Sequence, residues 1–326
     1  MDFFKNIILK KDVLGNASLI EQPGSLHIAF GIDANFTLGT GVLIYSILNK
    51  NNNNFIFHIF TDSIYEKDTR RFNKLCSLYP NICIIIYHVN PVNFSSLPTE
   101  YTWSQAIYYR ILACEFLNEV TAAVLYIDSD TLCTGNIENL FQKNFKSNIA
   151  MAYGNIEKKD RYIKSLDLNF KNSMYLNSGV MYINLPNWKS NNISYEFLDL
   201  LTHHNDFKYF DQDVLNILLK DKFILLDESY NLIRPLMDSY AHIPENTIFI
   251  HYAGSTKPWQ SWGQYHPLTK MWLKYKNKSP WKEEPISQPQ TYKQAKFMAR
   301  ALKHNKKYFA SLYWYYKYSV WKLANK

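Results

Sequence analysis

The apolar run Ala123-Val124-Leu125-Tyr126-Ile127 ends abruptly in Asp128-Ser129-Asp130. Apolar strands followed by polar groups are how open α/β sheets present chemistry at their carboxyl edge. In an extended backbone, residues two apart point the same way, so Asp128 and Asp130 could face one cation together. Their oxygens suit a hard divalent ion such as Mg²⁺ or Mn²⁺. A strand ending in Asp is equally an ordinary turn or helix-cap signal. Three further clusters keep it company: Asn177-Ser178-Gly179, Asp211-Gln212-Asp213, and His251-Tyr252-Ala253-Gly254-Ser255-Thr256-Lys257-Pro258-Trp259.

The elements that must position these groups are legible from pattern. Residues 26–30 read as a first strand closed by Gly31-Ile32-Asp33, and residues 36–48 carry helical spacing through Phe36, Val42, Leu43 and Leu48. Residues 55–60 and 82–89 read as strands, with a helix at 65–79 stopped by Pro80 between them. A helix over 101–117 precedes the strand 123–127. Strands alternating with helices imply an α/β fold with a mostly parallel, Rossmann-type sheet. Later the pattern loosens into strands at 180–183, 223–226 and 248–250, and helices at 195–204 and 211–219.

Several chemistries are excluded. Gly39-Thr40-Gly41 lacks the third glycine of a dinucleotide fingerprint, and Asp128-Ser129-Asp130 lacks the later ligand and glycine of an EF-hand loop. No P-loop and no His-Glu-x-x-His is present. The four cysteines form no Cys-x-x-Cys pair and read as reduced core thiols. No segment approaches the roughly 18 uninterrupted apolar residues of a membrane span. The net charge of +8 sits in the tail, because residues 285–326 hold nine Lys and Arg and no acid. The body is therefore near neutral, which argues against nucleic acid as a partner.

In this order and company, the motifs resemble glycosyltransferase family 8, retaining transferases that use nucleotide sugars on a GT-A fold. The resemblance runs from about residue 26 to 281. The segments His27-Ile28-Ala29-Phe30-Gly31-Ile32-Asp33-Ala34-Asn35-Phe36 and Trp103 to Arg110, with the basic aromatic tail, are similar to the branch that builds the lipopolysaccharide outer core. It implies a donor site of Ala29, Asp33, Asn35, Arg110, Asp128, Ser129, Asn177, Ser178, Gly254 and Lys257. Asp33 and Asn35 would meet the uracil and ribose, and Asn177 and Ser178 the sugar hydroxyls. Mn²⁺ or Mg²⁺ held by Asp128, Asp130 and His251 would act as a Lewis acid on the diphosphate. Gly254 allows close backbone approach to a phosphate and Lys257 supplies its point charge.

Asp211 and Gln212 are the catalytic candidates. Gln212 lies where a retaining enzyme would place a nucleophile, but an amide is a feeble one, and retaining glycosidases use a pair of carboxylates. Front-side attack is the favoured route, with the leaving phosphate helping to deprotonate the acceptor, Asp211 hydrogen-bonding the transferring sugar and Gln212 stabilising an oxocarbenium-like transition state. Each residue also has a plain structural reading. Asn35 suits a helix cap, Asn177-Ser178 a tight turn, and Asp211 and Asp213 an acidic helix start.

The expected organisation is an N-terminal extension over 1–25, a GT-A domain over 26–281 and a basic aromatic helical extension over 282–326. Lysines interleaved with Tyr308, Phe309, Tyr313, Trp314, Tyr315, Tyr316, Tyr318 and Trp321 suit an anionic membrane surface. They also suit single-stranded nucleic acid or a helix packed on the body, but the membrane comes first because the acceptor implied by the resemblance is a lipid-anchored glycan. The resulting expectation is a cytoplasmic enzyme, peripheral on the inner face of the inner membrane. It would move glucose or galactose from UDP-glucose or UDP-galactose to the lipopolysaccharide core. The alternatives are a family 8 transferase acting on another bacterial surface glycan, and an idle glycan-binding protein, which would keep the fold but not turn over donor.

Overall fold

Every position of Phe55–Thr61 is buried, as expected of a parallel strand covered on both faces, and this segment sits inside the main sheet. The structure, a computed structural model, describes residues 3–99, 104–154, 174–203, 207–237 and 241–324. Its strands are β1 (Ile8–Gly15), β2 (Leu26–Ile32), β3 (Phe55–Thr61), β4 (Ile82–Val89), β5 (Ala123–Ile127), β6 (Thr131–Cys133), β7 (Ala150–Gly154), β8 (Leu176–Asn184), β9 (Phe223–Leu225), β10 (Leu232–Ile233) and β11 (Phe249–His251). Eight form one sheet in the order β1-β4-β3-β2-β5-β8-β7-β9, and a small sheet joins β10-β11-β6.

The run β4-β3-β2-β5 is parallel, whereas β8 is antiparallel to β5 and β7. The chain moves outward from β2 through β3 to β4, then returns to lay β5 on the other side of β2. The connections diverge between β2 and β5, and open α/β sheets bind ligands at the carboxyl ends beside such a switch point. Asp33 follows β2 there, and Asp128 follows β5.

Helices α1 (Thr37–Lys50), α2 (Glu66–Leu78) and α3 (Tyr109–Leu117) cover the parallel part. Helix α1 is buried from Thr37 to Leu48. An added Cβ at Gly39 would lie 2.6 Å from the Ser129 carbonyl oxygen, and one at Gly41 would lie 2.5 Å from the Trp281 ring. These two glycines admit close neighbours and have no part in dinucleotide binding. The helix expected over 101–117 divides into a 3-10 turn at Gln105–Tyr108 and α3, while residues 101–103, with Trp103, lie outside the described residues.

Residues 8–15, set apart by sequence as an extension, pair antiparallel with β4 from Ile8↔Val89 to Gly15↔Cys83. Their polar, largely exposed pattern, typical of a sheet edge, hides them from a search for apolar runs. The C-terminal segment is tied back to the body as well. Ser287 N–H donates to the Trp259 carbonyl at 2.9 Å, and Glu284 pairs with Lys67 and Arg71, each at 2.7 Å. The helix Tyr292–His304 seats Met298 and Leu302 on Trp262, and the helix Tyr308–Leu323 packs on it through Ser311, which donates to the Ala299 carbonyl at 2.8 Å. The cysteines are unpaired thiols, as expected.

Candidate active site

Antiparallel register assembles the centre. His251 ends β11 opposite Thr131, the first residue of β6. The Tyr252 N–H donates to the Asp130 carbonyl at 2.8 Å, and the Asp128 N–H to the Gly179 carbonyl at 2.7 Å. Three chain segments are thereby fastened at one sheet edge. One ligand atom from each of Asp128, Asp130 and His251 lies within 4.8 Å of the others, the one such cluster among the described residues. Gly179 has to be glycine here, because an added Cβ would lie 3.0 Å from Asp128 Oδ2 and run into the His251 ring.

Asp130 is buried, with His251 Nε2 3.2 Å from its Oδ1 and the Lys257 ammonium on its Oδ2. Burial opposes its ionisation, but Lys257 and His251 more than offset this and hold the carboxyl well below the usual range. Lys257 is placed by its own loop. Gly254, at φ +95°, makes a turn that L side chains resist, and the Lys257 N–H donates to Gln260 Oε1 at 2.7 Å.

Arg110 is the second hub. Only 5 % exposed, its guanidinium donates to Asp128 Oδ1 at 3.0 Å and to the Ser178 carbonyl at 2.6 Å, and lies 3.1 Å from Asp211 Oδ2. It also stacks over the Tyr126 ring, with 4.6 Å to the centroid. Burial pushes the Asp211 carboxyl up to about 6, with Arg110 pulling it down and the charge of Asp128 adding to the rise. Asp211 opens the helix Asp211–Leu218, entered through Phe210 at φ 37°, a left-handed backbone that costs a bulky residue about 1–3 kcal/mol. Asp213 plays a different part: its carboxylate accepts from the Tyr175 hydroxyl, and from the Tyr209 N–H at 2.8 Å. Gln212 Oε1 accepts from Asn177 Nδ2 at 3.0 Å and from the Ser178 N–H at 3.2 Å.

Two adjoining cavities share the Gly254–Lys257 loop. One, of about 340 Å³, is lined by Arg110, Asp128, Asp130, Asn177, Ser178, Asp211, Gln212 and His251. The other, of about 780 Å³, is lined by Asp33 and Asn35. Asp33 also caps the following 3-10 turn, accepting from the Asn35 N–H at 2.8 Å. Ser129 also lines the smaller cavity, whereas Ala29 does not. The Ser129 hydroxyl pairs with Thr40 at 2.8 Å, facing α1, and Ala29 is packed in the core, short of the Gly31-Ile32 wall of the cavity. The sequence reading overlooked Asn231, which accepts from His251 Nδ1 at 3.0 Å. Only the parallel register of β10 on β11, pairing Ile233 with His251, brings it there.

The family model of Glycosyl transferase family 8 matches residues 27–263, and that of Glycosyl transferase family 8 C-terminal matches residues 266–322. The chain belongs to glycosyltransferase family 8. It is 33% identical to a lipopolysaccharide 1,3-galactosyltransferase of Salmonella typhimurium over 98% of both chains. It is 34% identical to lipopolysaccharide glucosyltransferase WaaO of Escherichia coli K12 over 92% of both. The solved galactosyltransferase LgtC, in complex with donor and acceptor sugar analogs, superposes with a TM-score of 0.66 at 22% identity, covering 78% of this chain and 96% of its own. That likeness bears on the fold, which is the GT-A type expected of family 8.

Proposed function

We propose that this chain is a metal-assisted, retaining glycosyltransferase that moves glucose or galactose from UDP-glucose or UDP-galactose to the lipopolysaccharide core. The observation that carries this reading is a convergence at one switch point. Two carboxylates and an imidazole stand beside a lysine, an arginine and the Asp211-Gln212 pair, around a cavity of about 340 Å³. Similarity over nearly the whole chain to a lipopolysaccharide galactosyltransferase supports the acceptor class.

The donor set fits a divalent cation, since hard carboxylate oxygens with one imidazole nitrogen suit Mn²⁺ and, less well, Mg²⁺. Asp130 already balances an ammonium. Asp128, Asp130 and His251 would hold the ion, which when bound supplies Lewis-acid neutralisation of the diphosphate. Lys257 adds charge at the phosphates, and Arg110 fixes Asp128 and Asp211 relative to each other. Asp33 and Asn35 would receive the uridine end, and Asn177 and Ser178 the sugar hydroxyls. The oxygen of Gln212, the nucleophilic atom of an amide, already accepts two hydrogen bonds. This supports front-side attack, in which Gln212 offers N–H to the transferring sugar and the negative charge of Asp211 stabilises an oxocarbenium-like transition state.

The acceptor is lipid-anchored, and the proposed place of work is the cytoplasmic face of the inner membrane. What supports it is the helix Tyr308–Leu323. Phe309, Leu312, Tyr316 and Leu323 are exposed along it, among Lys317 and Lys322. No described helix is long and apolar enough to cross a membrane. The test of the whole reading is turnover of UDP-glucose against UDP-galactose, with Mn²⁺ or Mg²⁺ and with water or a truncated core as acceptor. Turnover of neither donor with either ion rejects it.

A further inference from the structure

Asn231 is fully buried at the end of a 3-10 turn, and its side chain lies between two motifs of the site. Its Oδ1 is 3.0 Å from His251 Nδ1, and its Nδ2 donates to Asn177 Oδ1 at 2.8 Å. Asn177 Nδ2 in turn donates to Gln212 Oε1 at 3.0 Å. A line of amides therefore runs from the imidazole of the proposed metal site to the residue proposed to face the anomeric carbon.

The direction of this line is fixed by groups that can only donate. The Ser178 N–H, 3.2 Å from the Gln212 amide, must meet its oxygen. The Gly179 N–H, 3.1 Å from the Asn177 amide, must meet that oxygen as well. Asn177 Oδ1 then leaves only an acceptor toward Asn231, which has to present its NH₂. Asn231 is thereby forced to turn Oδ1 to His251, and Nδ1 of His251 has to carry a proton. Nε2 is the nitrogen left to face Asp130, 3.2 Å away, and a cation. Two backbone N–H groups of β8 thus set the orientation of three amides and one imidazole.

We propose that Asn231 is a positioning residue for the transfer, coupling the His251 imidazole to the Gln212 amide through Asn177. The inference rests on the proposed transferase reading. Groups that orient a metal-ligating histidine typically change metal affinity or activity about 10–100-fold when replaced. The coupling adds a distinction, because the two ends of Asn231 do different things. Asn231→Asp keeps an acceptor for His251 Nδ1–H but sets a carboxylate oxygen where an NH₂ stood 2.8 Å from Asn177 Oδ1, and this repulsion pushes the Asn177 amide off Gly179 N–H and away from Gln212. Asn231→Leu removes both ends.

The experiment measures Mn²⁺ binding by electron paramagnetic resonance without donor, and kcat and KM for the donor, in the full chain. Asn231→Asp is expected to bind Mn²⁺ within about threefold of the wild type while kcat falls about 10–100-fold with little change in KM. Asn231→Leu is expected to lose about 10–100-fold in both Mn²⁺ affinity and kcat. Wild-type kcat in Asn231→Asp, or wild-type Mn²⁺ affinity in Asn231→Leu, overturns the proposal, as do parallel losses of affinity in both variants. Nitrogen-15 spectra of the wild type, metal-free and Mg²⁺-loaded, test it without any variant: a bare Nδ1 on His251 overturns it and a protonated one supports it. A wild type that neither binds Mn²⁺ nor turns over donor would reject the transferase reading. An active wild type whose variants match it rejects the coupling alone.

Discussion

Replacing Asp211 by asparagine is expected to make the protein more stable and nearly inactive. Asp211 is buried, and its carboxyl is pushed up to about 6 from an unfolded value near 3.8. The folded state therefore holds the proton more tightly than the unfolded chain does. The stability of the protonated form is present below the unfolded value and is lost as pH rises through about 6. Above that pH the deficit is complete, about 3 kcal/mol for a shift of this size. Asparagine has nearly the same shape, keeps an oxygen for Arg110 Nε, and carries no charge to desolvate. Arg110 retains Asp128 at 3.0 Å and the Ser178 carbonyl at 2.6 Å. In chelator, urea titrations should show Asp211→Asn about 3 kcal/mol more stable than wild type near pH 8, the gain shrinking to about 1 kcal/mol near pH 4.5. Transfer should fall by about 100-fold or more, because a charge placed for the transition state is gone. A variant no more stable than wild type near pH 8, or equally stabilised at both pH values, refutes the reasoning. So does an active one.

Asp128→Asn, Asp130→Asn and His251→Ala should each abolish Mn²⁺ binding and transfer, and Asp130→Asn should also melt earlier because it leaves the Lys257 ammonium without its carboxylate; full wild-type activity in chelator contradicts the metal assignment. Gln212→Ala should lower kcat more than it raises KM, whereas Lys257→Ala should weaken UDP itself, measured by calorimetry; a pure KM effect at Gln212 removes it from the anomeric carbon. Phe309→Ser, Leu312→Ser and Tyr316→Ser together should abolish sedimentation with anionic vesicles. Each of these exposed positions should change stability by no more than about 0.5 kcal/mol. Vesicle binding by the wild type should fall with salt, since each lysine near an anionic leaflet contributes about 1 kcal/mol; salt-insensitive binding rejects the electrostatic anchor.

The sequence by itself determined the elements and the chemical inventory. Local pattern suffices for β2 to β5, because buried parallel strands are continuous apolar runs and the helices between them keep one period. Motif order likewise pointed to Asp128, Asp130 and His251, whose ligand atoms the structure brings within 4.8 Å of one another. Tertiary structure decided everything that depends on register between distant segments. Edge strand β1 reads as a polar extension until β4 is seen to pair with it. The Ser129 hydroxyl is engaged by Thr40 of α1 because Asp128-Ser129-Asp130 forms the turn between β5 and β6 rather than a continued strand. Asp211 and Asp213, alike in sequence at one helix start, separate into a partner of Arg110 and a partner of Tyr175. Asn231 stands 20 residues before His251 with no motif around it, and the pairing of β10 with β11 alone brings it to the imidazole. Hydrogen bonds of this kind join side chains across strands, and a one-dimensional pattern records period and composition but not which strand lies beside which.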